Sequence, residues 1–253
     1  MVQQFLGGVG VALATFFRAD GAVDVEMTTA HAARLVELGM QGVVVAGSTG
    51  EAASLDRIER RSLIEAVRGA VPVPVLAGTG APSARQAAAL TSEARAAGAD
   101  AALTLSPVRS ADPRRYYREV VDAAEGMPVL AYTFPAMSPP GLDVAVLPEL
   151  GVAGVKDSTG DPERLLRTLD VFEGLTYVGA AQLLVQAGSL GWDGALLALA
   201  NVAPEDCAAA FSGDGAAQRR LTDLHFASKL DWPVGLKRLI GERFGTAIHA
   251  RMG

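Results

Sequence analysis

The sequence has one cysteine and no long uninterrupted run of apolar residues. A lone thiol, Cys207, cannot form an internal disulfide, and the N-terminus lacks the basic residues that precede the apolar core of a secretory signal. Charges, glycines and prolines interrupt each apolar stretch before it reaches the roughly 18 residues needed to cross a bilayer. These absences predict a soluble, cytoplasmic protein that does not enter a membrane.

Positive charge is also in short supply, since the formal net charge is −6. No basic surplus is available for a nucleic-acid backbone, so we expect small molecules as partners and no nucleic acid. Lysine is the scarcest of the charged residue types: only Lys156, Lys229 and Lys237 occur among 22 basic residues. A lysine at a special position is therefore less easily explained as an arbitrary surface charge.

What the chain does have is a repeated alternation of short β-type runs and longer segments of helical period, typical of βα units. Half of its 253 residues are apolar, which suits a single domain of this kind. The predicted strands are 9–16, 42–46, 74–77, 101–105, 128–132, 154–156, 176–179 and 194–198. The predicted helices are 29–38, 56–69, 83–97, 112–125, 144–150, 161–171, 182–190 and 204–212.

Eight such units predict a (β/α)₈ barrel over residues 1–213. Two further amphipathic segments, 214–230 and 233–244, predict a short helical extension over 214–253 that packs on the barrel or on a neighbouring subunit and is not an independent domain. An open, doubly wound parallel sheet is the alternative. Even spacing and the lack of a strong Gly-x-Gly-x-x-Gly turn after the first strand favour the closed barrel.

Active sites of (β/α)₈ barrels lie at the C-terminal ends of the strands, so polar residues there are candidates for chemistry. Lys156 ends an apolar run and is the most informative of them. Only lysine offers an amine that can lose its proton when desolvated and then attack a ketone. The alternative is a rim lysine whose ammonium meets Asp157 or solvent.

Two other strand ends could assist such an amine. Tyr132 closes the preceding predicted strand, and its phenol could pass protons as a general acid–base, although a tyrosine bonded to the backbone is the alternative. The turn after the second strand, Gly-Ser-Thr-Gly-Glu, supplies backbone N–H groups and the hydroxyls of Ser48 and Thr49, which suits a carboxylate. A phosphate would also fit, and an ordinary βα turn remains possible for that sequence.

Taken together, these segments resemble the dihydrodipicolinate synthase and N-acetylneuraminate lyase family of class I, pyruvate-dependent aldolases. The likeness covers nearly the whole barrel. It runs through Gly47-Ser48-Thr49-Gly50-Glu51 with Leu55 and Glu59-Arg60, Ala77-Gly78-Thr79-Gly80, Gly98-Ala99-Asp100, Ser106-Pro107, Pro128 to Tyr132 with Pro135, Gly154-Val155-Lys156-Asp157-Ser158, and Asn201-Val202-Ala203-Pro204.

The resemblance implies that Lys156 forms an imine with a 2-oxo acid such as pyruvate, that Tyr132 shuttles protons, and that Ser48 and Thr49 hold the carboxylate, with Thr49 also catalytic. Ser158 and Gly179, after the sixth and seventh strands, are further expected substrate contacts. An imine needs no metal or other cofactor, and the three histidines, His31, His225 and His249, lie apart in the sequence. A homo-oligomer is expected.

Departures from the family pattern bear on the second substrate, an aldehyde or sugar acid. Val108 and Arg109 stand where synthases resemble one another in having a tyrosine, and Met137 stands where they have an arginine. We therefore expect an aldolase or lyase for a 2-keto-3-deoxy sugar acid or similar 4-hydroxy-2-oxo acid, with Arg109 binding an anionic group in the pocket. Alternatives are a synthase or dehydratase using the same imine, and a non-catalytic 2-oxo-acid-binding protein.

Overall fold

The eight apolar runs form eight parallel strands that close into one barrel in chain order, in a computed structural model that describes residues 6–110 and 112–252. The (β/α)₈ prediction is confirmed. The strands are β1 (Gly8–Ala12), β2 (Val43–Val45), β3 (Val75–Gly78), β4 (Ala101–Leu105), β5 (Val129–Thr133), β6 (Gly154–Asp157), β7 (Leu175–Val178) and β8 (Gly194–Leu197).

The first strand is shorter than the apolar run 9–16 predicted. Side chains replace the strand partners beyond its end: the N–H of Ala14 donates to Oδ1 of Asn201 and the N–H of Phe16 to Oγ1 of Thr28, both at 3.0 Å. Asn201 also donates to the carbonyl of Ala12, at 2.7 Å. This amide therefore joins the end of β1 to the segment that follows β8, where the barrel closes.

Helices cover the outside of the barrel. They are α1 (Val25–Glu37), α2 (Arg57–Ala70), α3 (Ala84–Ala96), α4 (Arg114–Ala124), α5 (Pro162–Val171), α6 (Leu184–Ser189) and α7 (Pro204–Phe211), followed by α8 (Gly215–Lys229) and α9 (Val234–Phe244). The predicted α-helix at 144–150 is instead the 3₁₀ helix Val144–Glu149, which contains Pro148. Proline lacks an N–H and disfavours α conformation in the residue before it, which explains the difference.

The barrel interior is filled by side chains that alternate along the strands. Leu76, Leu130, Tyr177 and Leu196 are among the buried residues of this inner cluster. Because the interior is packed, space for a ligand is confined to the C-terminal ends of the strands, as is usual for this fold.

The last helix, α9, packs against the barrel beside the end of β1, and α8 packs against α7. Leu236 and Ile240 of α9 share a buried cluster with Ala14, Phe16 and Val202. The boundary at residue 213 and the homo-oligomer stay predictions. In the two ranges that the structure describes, no helix has both the length and the apolarity to span a bilayer.

Candidate active site

The register of the barrel brings the two main candidates together. Tyr132 of β5 pairs directly with Lys156 of β6. Both side chains line a cavity of about 1120 Å³ at the C-terminal ends of the strands, which we call the Lys156 cavity. The Nζ of Lys156 lies 4.3 Å from the centroid of the Tyr132 ring.

The amine of Lys156 is isolated from carboxylates. The residue is 5% exposed, and burial lowers its pKa to about 7. Asp157, the nearest carboxylate in sequence, forms a buried ion pair with Arg164 and accepts the N–H of Thr159 at 2.8 Å. Among the described residues no ion pair or hydrogen bond of Lys156 Nζ is present, so the rim-lysine alternative, in which the ammonium meets Asp157 or solvent, does not match the geometry.

The phenol of Tyr132 is held in its protonated form. Burial raises its pKa to about 12, while the neighbouring hydroxyls of Ser158 and Ser48 act in the opposite direction. Thr49 also lines the cavity. Both Ser48 and Thr49 stay candidates for the hydroxyl that exchanges protons with Tyr132, since both line the cavity and neither is directly hydrogen-bonded to the phenol among the described residues.

Residues 47–51 form a tight turn between β2 and the first residues of a short 3₁₀ helix. The N–H groups of Gly50 and Ala52 both donate to the carbonyl of Gly47, at 3.0 and 3.2 Å. The N–H groups of Ser48 and Thr49 have no hydrogen-bond partner among the described residues. Two adjacent unpaired backbone donors at the wall of a cavity suit an anion such as a carboxylate.

The position after β7 has room for glycine only, and it lies directly beside Lys156. A Cβ at this position would lie 2.7 Å from Cε of Lys156 and 2.0 Å from Oγ of Ser158. Any other residue would overlap the lysine stem, so the glycine after β7 leaves room for the amine and its adduct. The structure thus brings Lys156, Tyr132, Ser48, Thr49, Ser158 and Gly179 together.

Arg109 is not brought into this group. It has a left-handed φ of 59°, its side chain is exposed, and it is not among the residues that line the Lys156 cavity. Its N–H donates to the carbonyl of Pro139 at 2.6 Å, which holds the turn in this conformation. The neighbouring Arg114 is paired with Glu149 and Asp112 on the surface.

Some cavity residues were not expected from the strand ends. Arg60 of α2 lines the cavity with a guanidinium that donates to the carbonyls of Gly78, Ala52 and Leu55, and burial lowers its pKa. Met137 and Met252 also line the cavity, whose wall is largely apolar. The motif containing Arg60 was visible in the sequence, but nothing local indicated that residue 252 lies near residue 48.

Comparison with known proteins agrees with this geometry. The model of the dihydrodipicolinate synthetase family matches residues 5–221. The chain belongs to this family. It is an enzyme of the class I aldolase and lyase type, as the resemblance implied.

Individual members of the dihydrodipicolinate synthetase family show how the likeness is distributed. A probable mitochondrial 4-hydroxy-2-oxoglutarate aldolase of Emericella nidulans is 37% identical over 220 residues, covering 79% of this chain and 71% of that protein. A 4-hydroxy-tetrahydrodipicolinate synthase of Pseudomonas aeruginosa is 32% identical over 240 residues, covering 86% and 80%. The crystal structure of dihydrodipicolinate synthase from Acinetobacter baumannii complexed with pyruvate superposes with a TM-score of 0.86 at 29% identity, covering 94% of this chain and 88% of that one.

Proposed function

We propose that the chain is a Schiff-base aldolase that cleaves, or in reverse forms, the bond between C3 and C4 of a 4-hydroxy-2-oxo acid, such as a 2-keto-3-deoxy sugar acid, with pyruvate as one partner. The observation that carries this proposal is the isolated, desolvated amine of Lys156 beside the phenol of Tyr132. With its pKa lowered to about 7, a substantial fraction of this amine is neutral and nucleophilic near neutral pH.

The reaction begins when neutral Lys156 attacks the C2 carbonyl of the substrate. The carbinolamine loses water, with Tyr132 supplying and recovering protons, and a protonated imine forms. This imine withdraws electrons from the adjacent carbon, so the C3–C4 bond can break as the C4 hydroxyl gives its proton to the Tyr132 phenolate that the loss of water left behind. An aldehyde leaves, the enamine takes a proton at C3, and water hydrolyses the imine to release pyruvate and Lys156.

The turn 47–51 has a defined task in this scheme. The unpaired N–H groups of Ser48 and Thr49 bind the C1 carboxylate, which orients C2 toward the amine. The hydroxyl of Ser48 is also a neighbour of the Tyr132 phenol, so one residue contacts the carboxylate and the proton shuttle.

The wall of the cavity bears on the second substrate. Met137 lines the cavity where the family resemblance gives synthases an arginine, so no guanidinium after β5 is available for a carboxylate on the aldehyde. The aldolase name of the Emericella relative favours cleavage of a 4-hydroxy-2-oxo acid. A synthase remains the second candidate, because the Pseudomonas relative carries that name. The presence of both Lys156 and Tyr132 favours turnover over simple binding.

Reduction with borohydride tests the proposal directly. Pyruvate followed by borohydride should add one reduced pyruvyl group, found by intact mass and located at Lys156 by peptide mapping. Lys156→Ala should abolish the adduct, whereas Lys229→Ala, which changes an exposed lysine of α8, should leave it unchanged. A panel of 4-hydroxy-2-oxo acids then identifies the cleaved substrate by the pyruvate released. An adduct on another lysine, with Lys156 unmodified, would contradict the mechanism.

A further inference from the structure

The turn that is proposed to bind the carboxylate ends in a residue that faces away from the Lys156 cavity. Glu51 is 1% exposed and is not among the residues that line the cavity. Its Oε1 accepts Nζ of Lys237, a residue of α9 that is also 1% exposed. The carboxylate is therefore directed into the protein interior toward α9 and not into the Lys156 cavity.

The other carboxylate oxygen of Glu51 binds the segment that follows α9, residues 245–252, which we call the tail. Its Oε2 accepts the backbone N–H groups of Arg251 and Met252, both at 2.8 Å. Lys237 reaches the same segment, donating to the carbonyl of His249 at 2.7 Å. One ion pair thus links the turn, α9 and the tail.

A second clamp holds the tail over the residues that follow the turn. The guanidinium of Arg251 donates to both carboxylate oxygens of Glu59, at 2.8 and 2.6 Å, and to the carbonyl of Ser54 at 3.0 Å. It also donates to the carbonyl of Gly21 at 2.7 Å and lies over the ring of Phe17. The tail is therefore bound both to Glu51 and to Glu59.

The clamped tail also contributes to the substrate cavity. Met252 lines it, as do Leu55 and Ile58, which belong to the stretch between Glu51 and Glu59 to which the tail is bound. Because its N–H is bound by Glu51, the position of the Met252 side chain depends on that carboxylate.

The backbone of the turn depends on the same anchor. Glu51 has a left-handed φ of 54°, and its N–H donates to the carbonyl of Ser48 at 3.2 Å. A residue with a Cβ keeps this conformation only where its surroundings enforce it. Here the enforcing contacts are those of its own buried side chain.

We propose that Glu51 is a positioning residue: by binding Lys237 and the tail, it fixes the turn whose Ser48 and Thr49 N–H groups receive the carboxylate of the 2-oxo acid. This inference rests on the proposed function. It predicts a specific defect, in which the affinity for the 2-oxo acid falls while the chemistry at Lys156 survives. Loss of a purely structural contact would instead lower the fraction of folded protein, and the protein that remains folded would keep its affinity for the 2-oxo acid.

The test compares Glu51→Gln with Glu205→Gln. Both remove a carboxylate paired with a residue of α9, but Glu205 pairs with Arg243 away from the turn. The pyruvate concentration that gives half-maximal borohydride trapping at Lys156 should rise about tenfold or more in Glu51→Gln, with the adduct level at saturation unchanged, the pattern expected for lost ground-state binding. Glu205→Gln should trap like the wild type.

A second variant guards against misfolding. Lys237→Met combined with Glu51→Gln removes both buried charges, so it leaves no buried charge without a counter-ion, and it should show the same rise in half-saturation. Hydrogen exchange gives a readout independent of catalysis: the amides of residues 50–52, which donate within the turn, should exchange faster in both Glu51 variants and at the wild-type rate in Glu205→Gln.

The outcomes separate the two proposals. Wild-type protein that forms no adduct would contradict the proposed function, and exchange at residues 50–52 would still report on Glu51. A wild-type half-saturation and wild-type exchange in Glu51→Gln would overturn the positioning role alone. An equal rise in Glu205→Gln would also overturn it, since general docking of α9 would then be responsible.

Discussion

Lys156 and Tyr132 occupy directly paired positions on adjacent strands, and the lysine amine lies over the face of the tyrosine ring, 4.3 Å from its centroid. The ring shields the amine from water, and no acidic side chain among the described residues pairs with it. Desolvation without a counter-ion makes the neutral amine available, and the phenol next to it remains protonated. The same burial therefore keeps the amine of Lys156 neutral and the phenol of Tyr132 protonated.

The pH dependence of imine formation follows from this arrangement. Because the neutral amine reacts, the rate of pyruvate adduct formation should be constant well above the Lys156 pKa of about 7. It should fall below that pH, as each further pH unit removes about nine-tenths of the neutral amine. Stopped-flow mixing with borohydride quenching measures the rate. A profile that turns near pH 10 would show that the amine is not desolvated in solution.

Removal of the phenol should separate binding from turnover. Tyr132→Phe keeps the ring over the amine, so the pyruvate adduct should still form. Cleavage should slow by about 100-fold or more, the usual scale for loss of a general acid–base. Comparing trapped adduct with steady-state kcat checks this, and turnover at the wild-type rate would assign proton transfer to another group.

The absence of a side chain at Gly179 should be necessary for fast adduct formation at Lys156. Gly179→Ala places a methyl group 2.7 Å from Cε of Lys156. The displaced amine should lower the rate of adduct formation by about 100-fold, as expected for a misplacement of roughly 1 Å. Gly69→Ala is the matched control, because a Cβ at that helical position meets no atom within 4 Å and should leave the rate unchanged. Equal effects of the two changes would contradict this explanation.

Chelators should not affect the reaction, because the protonated imine takes the place of a Lewis acid. Dialysis against EDTA is therefore expected to leave the rate of pyruvate release within experimental error of the untreated enzyme. Activity that disappears with EDTA and returns with one divalent ion would count against a Schiff-base mechanism.

A buried histidine predicts how the fold responds to acid. His31 is 1% exposed between the rings of Phe16 and Phe244, and burial, followed by the charge of Arg34, lowers its pKa to about 4. A lowered pKa means that the folded state disfavours the charged form. Above the ordinary pKa of 6.5 the histidine is neutral in both the folded and the unfolded state, and the protein has its full stability. As the pH falls from 6.5 toward 4, the unfolded state takes up a proton more readily than the folded state, and the free energy of unfolding decreases by up to about 3 kcal/mol.

The measurement is urea unfolding of the wild type and His31→Phe at pH 7 and pH 4.5. The wild type should lose more stability over this interval, because phenylalanine cannot take up a proton. Equal losses in the two proteins would show that His31 does not titrate within this range.

Much of the barrel and of the reactive centre could be predicted because both depend on local pattern. Most of each strand is an apolar run, and polar residues near the C-terminal ends of parallel strands lie at the end of the barrel where the cavity forms, which explains why the sequence predicts Lys156 and Tyr132. The 3₁₀ helix at Val144–Glu149 was missed although Pro148 was visible, because helical period alone does not distinguish a short 3₁₀ helix from an α-helix.

Contacts between distant parts of the chain could not be predicted. The turn at Arg109 is held by a hydrogen bond to Pro139, 30 residues later in the chain. The residues next to Arg109 in the sequence therefore could not show that its side chain lies outside the cavity. Ser48 and Thr49 are adjacent hydroxyl residues of one turn, and only the fold shows that both line the cavity that contains Tyr132. The partner of Glu51 lies 186 residues away, beyond the reach of any periodicity.

That separation also orders the events of folding. Glu51 is bound by residues 186, 200 and 201 positions later in the chain, so a ribosome will have made most of the barrel before the partners of this carboxylate exist. Closing so long a loop is entropically slow, and such contacts form late. On the positioning role proposed for Glu51, a nascent chain should reach full affinity for the 2-oxo acid only after residues 251 and 252 have been made.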